Sequence, residues 1–356
     1  MALVLYASLY PFSDWRWPPG LALADLARLP WPPWIDRFDI AFNLLGYAPL
    51  GTLLVLAVLR SGGGLAWALL LGLAGPGLLS YGTELAQQFL PGRHPSLKDM
   101  ATNAVGAAIG ALLALALQAL GVIDRWHRAR ERWFMRDSAG GLALLALWPA
   151  ALLFPAPVPL GLGQGLLRLR DLAAEALEGV AWAEPAHALL AAPTGAQATG
   201  PLGETLITAL GLLAPCLVAY SVARPGWRRA VLALGAAGLA LAGMTLSTAL
   251  NYGPDHALAW LTPYAVPGLA SGLLVAWLLA PLPRGLAAGL GLMVLTGLIT
   301  AVTQAPDDPF FAQSLQSWEQ GQFVRFHGLA QWLGWLWPFA AIGWLFTRLA
   351  RRTPDR

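Results

Sequence analysis

Residues 39–59 read DIAFNLLGYAPLGTLLVLAVL, a stretch of 21 residues in which Asp39 is the only charged side chain. A helix needs about 20 predominantly apolar residues to cross the hydrocarbon region of a bilayer. This stretch is long enough and apolar enough to do so. It therefore predicts a transmembrane helix that begins close to Asp39.

The same pattern recurs along the chain, which is 57% hydrophobic and 12% charged and has a mean hydropathy of +0.58. An average soluble domain carries roughly 25% charged residues. The composition excludes a disordered chain, a disulfide scaffold and an ordinary soluble enzyme, because a soluble fold would leave much of this apolar surface in water. The predicted spans are residues 39–59, 64–88, 99–120, 141–157, 201–223, 230–248, 261–282, 285–304 and 328–347.

The sequence therefore predicts an all-α integral membrane protein, a polytopic helical bundle of nine or ten transmembrane helices. The count depends on residues 1–12, which are apolar but shorter than a full span. We expect two bundles, a membrane domain over 1–122 and a second one over 141–356. A basic linker over 123–140 joins them.

The linker, IDRWHRARERWFMRDSAG, sets the predicted orientation. Its arginines indicate a cytoplasmic location, since Lys and Arg concentrate in cytoplasmic loops. We expect both chain termini on that same side of a bacterial inner membrane. The other basic residues that this orientation places in the cytoplasm are Arg60, Arg224, Arg228, Arg229, Arg284, Arg348, Arg351, Arg352 and Arg356.

Two longer segments on the predicted outer side, residues 164–190 and 307–327, have apolar residues at helical spacing. This pattern is typical of helices that lie in the membrane interface. Small residues predict close helix contacts elsewhere, through the GxxxG pairs Gly106–Gly110 and Gly285–Gly289.

Polar residues within the spans concentrate in the first third of the chain. They form pairs four residues apart at the start of one span, the end of the next and the start of the third. This spacing puts each pair on one helix face, and the predicted topology puts all three pairs level with the outer headgroups. The intervening loop adds two cations and the imidazole of His94. The candidate binding residues are Asp39, Asn43, Glu84, Gln88, Arg93, Lys98, Asp99 and Asn103.

Each of these residues also has a structural interpretation. Asp99 fits a capping box with Ser96, and the helix dipole alone favours a carboxylate at a helix start. Glu84 lies well inside an apolar span, where pairing with Arg93 or Lys98 would be a structural role. The sequence leaves the structural and functional interpretations open.

Three stretches carry a resemblance to a known family, namely LYASLYPF (5–12), FDIAFNLLGYAPLG (38–51) and SYGTELAQQFLPGRHPSLKDMATNAVGAAIGA (80–111). They resemble the VanZ-like family of bacterial membrane proteins over about residues 1–120. The founding member of that family is associated with low-level resistance to the glycopeptide teicoplanin, which implies a cell-envelope setting and a link to glycopeptide tolerance. Residues 141–356 resemble no family that we can name.

The sequence favours a non-enzymatic envelope factor that binds a lipid-linked or glycolipid headgroup at the outer face. Arg93 and Lys98 suit phosphate, whereas the amides suit sugar hydroxyls. One alternative is a membrane-embedded hydrolase or transferase acting on a lipid phosphate, with Glu84 or Asp99 as general base. Another is a transporter or flippase, although such proteins place their sites near the bilayer midplane.

The expected partners are membrane lipids. The sequence has no basic stripe for nucleic acid, and its single cysteine, Cys216, leaves no zinc spacing of Cys and His. We therefore expect neither a metal nor a cofactor. We also find no nucleophile elbow or Ser-His-Asp spacing, which disfavours an enzyme.

Overall fold

The architecture comes from a computed structural model of the chain. The structure describes residues 2–9, 12, 14–18, 20, 22, 25–32, 37–91, 93–154, 156–191, 200–305 and 324–350. The chain divides into two compact units, Met1–Ala129 and Arg130–Arg356. The boundary falls within the basic segment 123–140, and each unit is described by itself below.

All the regular elements in the described residues are helices. Two short 3-10 helices, Ala181–Ala183 and Pro254–His256, accompany them. The α-helices are α1 (Ala2–Leu9), α2 (Arg37–Arg60), α3 (Leu65–Gln87), α4 (Leu97–Ala119), α5 (Val122–Trp133), α6 (Ala139–Ala151), α7 (Gly165–Leu177), α8 (Glu184–Ala191), α9 (Pro201–Val222), α10 (Trp227–Tyr252), α11 (Ala265–Leu279), α12 (Arg284–Thr303) and α13 (Val324–Ala350).

Six of these helices are long and apolar enough to cross a membrane, namely α2, α3, α4, α9, α10 and α12. The predicted all-α polytopic membrane fold is confirmed. Two of the nine expected spans are shorter than predicted, because α6 has 13 residues and α11 has 15. At 1.5 Å per residue, 15 residues reach only about 22 Å. Helix α11 starts late because the Thr262 hydroxyl accepts a hydrogen bond from the backbone N–H of Ala265 (2.9 Å).

In the first unit, α2 and α4 pack so closely that glycine is required. A Cβ atom on Gly110 would lie 1.9 Å from the carbonyl oxygen of Ala48, and one on Gly106 would lie 2.8 Å from that of Leu44. Close backbone approach through small residues drives helix association in membranes. The other predicted pair differs, since a Cβ atom on Gly285 or Gly289 meets no atom within 4 Å.

The segment before α2 is fastened to α3 and α4. The Tyr81 hydroxyl donates to the carbonyl of Ala27 (2.8 Å), and the Gln88 amide donates to that of Leu26 (2.9 Å). The backbone N–H of Leu97, at the start of α4, donates to the carbonyl of Pro30 (2.9 Å). These bonds hold residues 25–30 beside the ends of two spans.

The second unit is built around α9, which is buried along most of its length. A helix that is apolar all round belongs at the centre of a bundle. Helices α6, α10, α11, α12 and α13 all contact it. Cys216 lies in this core with 1% of its surface exposed.

Among the described residues of that unit, Arg229 is the largest polar side chain that is fully buried. Its guanidinium donates to the carbonyls of Tyr220 (2.8 Å), Ala280 (3.0 Å) and Leu282, and it stacks over the Tyr220 ring. Carbonyls near a helix C-terminus lack intrahelical partners, and a cation there is favourable. Arg229 therefore joins the ends of α9 and α11. The sequence predicts only a cytoplasmic loop position for this residue and does not predict this contact.

The predicted basic linker is largely helical, as α5. The chain after α5 pairs with the end of α9, through hydrogen bonds from the Met135 N–H to the Val222 carbonyl (3.0 Å) and from the Arg224 N–H to the Trp133 carbonyl (2.9 Å). Asp137 forms an ion pair with Arg348 of α13.

The two segments predicted to lie in the outer interface have different outcomes. Residues 164–190 form α7 and most of α8, which pack together and are joined by a hydrogen bond from Arg170 to the carbonyl of Leu190 (2.6 Å). Most of the other segment, 307–327, lies outside the described residues.

Replacing Gly110 with Ala tests the α2–α4 contact. The added methyl group overlaps the Ala48 carbonyl, so the Gly110→Ala protein is expected to lose roughly 1–3 kcal/mol of stability. Thermal unfolding in detergent measures this loss. Gly46→Ala in α2 is the control, since its Cβ atom meets nothing within 4 Å. Equal melting of both variants and the parent protein would contradict the contact.

Replacing Arg229 with Lys tests the joint between α9 and α11. Lysine keeps the charge but lacks the planar fork that reaches several carbonyls at once. We expect Arg229→Lys to lower the free energy of unfolding by roughly 2–4 kcal/mol. The control is Arg228→Lys, because the Arg228 guanidinium only stacks on its neighbour Trp227 among the contacts that the structure describes. Unchanged melting of Arg229→Lys would refute the proposed joint.

Candidate functional site

Polar side chains are buried together where α3 ends and α4 begins, with α2 alongside. Their burial within three apolar spans is unusual, because a polar group in an apolar surrounding must find partners. We call the following set the polar cluster: Tyr47 of α2, Ser80, Thr83 and Glu84 of α3, and Ser96, Lys98 and Asn103 at the start of α4.

Glu84 closes the connection between α3 and α4. Its side chain is only 4% exposed, and one carboxylate oxygen accepts a hydrogen bond from the backbone N–H of Ser96 (2.8 Å). The Ser96 hydroxyl in turn accepts from the N–H of Asp99 (3.2 Å) and caps α4. The charges of Asp99 and Arg93 both act on that of Glu84. The capping role expected of Ser96 is present, and Glu84 bonds to the capping residue.

Asn103 connects α4 to α3 deeper in the unit. Its amide nitrogen donates to the hydroxyl of Ser80 (2.9 Å), but its amide oxygen is buried without a hydrogen bond. Exchanging the two amide atoms would leave the nitrogen unpaired instead, so one polar atom lacks a partner in either orientation.

Tyr47 of α2 belongs to the same region. Its side chain is 5% exposed, and its hydroxyl has the Thr83 and Ser80 side chains as hydrogen-bonding partners, at a geometry looser than that of a normal hydrogen bond. Tyr47 and Asn103 therefore approach Ser80 from different helices.

The remaining candidates lie around this cluster. The Asn43 amide donates to the Thr102 hydroxyl (3.1 Å), which donates to the carbonyl of Asp99 (3.0 Å) and so links α2 to α4. Asp39 is half-buried in the first turn of α2, and no hydrogen bond or ion pair joins it to another described residue. Gln88 holds the segment before α2 through Leu26.

The two cations, Arg93 in the loop and Lys98 in the first turn of α4, differ in exposure. Lys98 is buried, with 8% of its surface exposed, whereas Arg93 is half-buried. His94 between them is exposed, in keeping with a solvated loop residue. The structure thus places Arg93 and Asp99 where their charges act on Glu84. It places Asn43 at the contact between α2 and α4, and Asn103 at the contact between α3 and α4.

Sequence reasoning missed Tyr47 and Ser80. Tyr47 lies four residues after Asn43, and Ser80 lies four residues before Glu84, so both extend the predicted polar faces by one helical turn towards the membrane interior. Following each face one turn further would have found them.

The cluster offers both hydrogen-bond donors and acceptors with charges of both signs. This combination suits a ligand that carries an anionic group and hydroxyl or amide groups. Among the described residues, no group of three or more His, Cys, Asp and Glu side chains could hold a metal ion.

Comparison with known proteins places the cluster in a family context. Residues 2–118 match the family model described as VanZ/LLP1. No curated protein and no solved structure matches the chain. The match covers every residue of the polar cluster, and residues 2–118 therefore form a VanZ-like N-terminal region of a multi-pass membrane protein.

Proposed function

We propose that this protein is a cell-envelope factor of the bacterial inner membrane whose VanZ-like region binds the headgroup of a lipid at the outer face. The observation that carries the proposal is the burial of Glu84 at the junction of two spans, where the charges of Arg93 and Asp99 act on it and Lys98 is also buried. Charged groups buried at a membrane span are costly and commonly mark a ligand pathway or site.

The charges suit a phosphate-bearing headgroup. Arg93 and Lys98 supply the cations, and charge-assisted hydrogen bonds from such groups to phosphate are roughly twice as strong as neutral ones. The carboxylates and amides supply acceptors for hydroxyl and amide groups of an attached sugar or alcohol. A lipid-linked or glycolipid headgroup combines both features.

An apolar groove beside the cluster favours a lipid over a soluble ligand. It has a volume of about 610 Å³ and lies between the segment before α2 and the outward faces of α3 and α4. Bonds from Tyr81 and Leu97 hold its wall in place. Its lining residues are Ala27, Arg28, Leu29, Gly77, Leu78, Tyr81, Leu97 and Met100.

The state of Glu84 supports binding more than catalysis. A general base must reach the proton that it removes, whereas Glu84 is buried and already accepts a hydrogen bond from the Ser96 backbone. Such a carboxylate is suited to positioning the loop that carries Arg93.

Removing the cations tests the binding proposal. We expect Arg93→Gln and Lys98→Met to reduce co-purifying phosphate-bearing lipids about tenfold, since a lost charge-assisted bond is worth roughly 1.5 kcal/mol or more. Mass spectrometry of lipids retained after purification in mild detergent measures this change. Arg128→Ala is the control, because Arg128 is exposed and does not line the groove. Size-exclusion profiles confirm folding, and identical lipid profiles in folded variants would rule the proposal out.

The proposed outer location is tested by cysteine labelling. In a Cys216→Ala background, His94→Cys is expected to react with an impermeant maleimide added to intact spheroplasts. Arg128→Cys, in the basic segment, is expected to react only after the membrane is opened. Both positions are exposed, so the label can reach them. The opposite labelling pattern would place the cluster on the cytoplasmic side of the membrane and both termini on the outer side.

A further inference from the structure

We infer that α5 lies flat on the bilayer as an amphipathic helix, with its apolar face in the headgroup region and its arginines against anionic phospholipids. The surface concerned is separate from the polar cluster. The inference therefore holds whether or not the VanZ-like region binds a headgroup.

The apolar face of α5 is a continuous stripe. The helix Val122–Trp133 reads VIDRWHRARERW and places apolar side chains at intervals of four, three and four residues. This spacing keeps all of them on one side of a helix. The members of the stripe are Val122, Trp126, Ala129 and Trp133.

The charges of α5 are sorted around this stripe. Arg125, Arg128 and Arg132 recur at helical spacing along one edge of it, whereas Asp124 and Glu131 fall on the opposite face. Within the described part of the chain, none of these arginines forms an ion pair with a carboxylate. Long cationic side chains at the edge of an apolar face can reach the phosphates of anionic lipids, while the carboxylates stay in water.

The first turns of the stripe have no protein cover. Every residue of α5 is described, and none is buried. Trp126 is 60% exposed and Ala129 is exposed, whereas Trp133 in the last turn packs edge-on against Trp227. At 12 residues α5 is too short to cross a bilayer. A helix with tryptophan on one face and arginine beside it is typical of the membrane interface.

The start of α5 is fixed to the end of a span. Helix α4 is long and apolar enough to cross a membrane and ends at Ala119, three residues before α5 begins. Gly121 has a positive φ of 63°, which ends α4 and lets the chain turn. The Arg125 guanidinium then donates to the carbonyl of Leu120 (2.7 Å). Because α5 begins where a span ends, the surface of the bilayer is the partner that its position favours.

Nitroxide labels on two faces of α5 test the inference in the full-length protein. In a Cys216→Ala background, Ala129→Cys carries the label on the stripe and Asp124→Cys carries it on the opposite face, both at exposed positions. The protein is placed in nanodiscs of phosphatidylcholine with or without phosphatidylglycerol. Power saturation in electron paramagnetic resonance measures collisions with oxygen, which concentrates in lipid, and with a water-soluble nickel chelate. With phosphatidylglycerol, we expect oxygen to dominate at Ala129 and nickel to dominate at Asp124.

Removing two arginines tests the role of charge. Arg128 and Arg132 are exposed and form no hydrogen bond or ion pair with described residues, so the fold should survive Arg128→Gln with Arg132→Gln. We expect the ratio of docked to undocked α5 to fall about 25-fold, roughly fivefold for each arginine near an anionic surface. The Ala129 label would then shift from oxygen towards nickel. Arg128→Lys with Arg132→Lys keeps both charges and is expected to behave as the parent does.

The outcomes distinguish the bilayer from other partners. Equal nickel collisions at Ala129 and Asp124 would place the stripe in water and overturn the inference. An Ala129 label shielded from both reagents would assign the stripe to a protein or a second copy of the chain instead. An oxygen preference that persists without phosphatidylglycerol and in the glutamine variant would overturn the anionic assignment. Detergent disperses a bilayer surface, so lipids retained after purification test the headgroup proposal separately.

Discussion

Inside a bilayer a polar group has no water to bond with, so every buried donor and acceptor depends on another group of the protein. Both units of this chain meet that constraint with a charged side chain that bonds to backbone. Glu84 accepts from the N–H of Ser96, at the turn into α4. Arg229 donates to carbonyls near the ends of α9 and α11. Each of these side chains forms hydrogen bonds with backbone groups at a helix terminus, where backbone groups without intrahelical partners are concentrated.

The membrane fold and the helix faces that carry the polar residues could be predicted from the sequence, because apolar length and i,i+4 spacing are local properties. The faces that bear Asn43, Glu84 and Asn103 do meet through helix contacts. Ser80 and Tyr47 escaped notice because hydroxyls are common in membrane helices, where they often bond to their own backbone, as Thr248 does with Met244. Their significance comes from what surrounds them, and only the structure supplies that.

Other features depend on distant contacts and could not be predicted. Arg229 looks like any basic residue of a cytoplasmic loop, but the carbonyls that it binds come from two separate parts of the chain, the end of α9 and the end of α11. The two GxxxG pairs are equivalent in sequence, yet only Gly106–Gly110 faces a neighbouring backbone. A GxxxG pair in the sequence shows which helix could allow a neighbouring helix to approach closely. Tertiary packing decides which of these helices has such a neighbour.

The glycine contact between α2 and α4 limits how the first unit can rearrange. With the backbone of Gly110 against that of Ala48, and the Thr52 hydroxyl donating to the Gly110 carbonyl (2.9 Å), these two helices form a single stiff body. Tyr47 and Asn103 are both fixed to it, whereas Ser80 and Glu84 belong to α3. Any rearrangement within these three helices would therefore move α3 against the α2–α4 pair rather than separate α2 from α4.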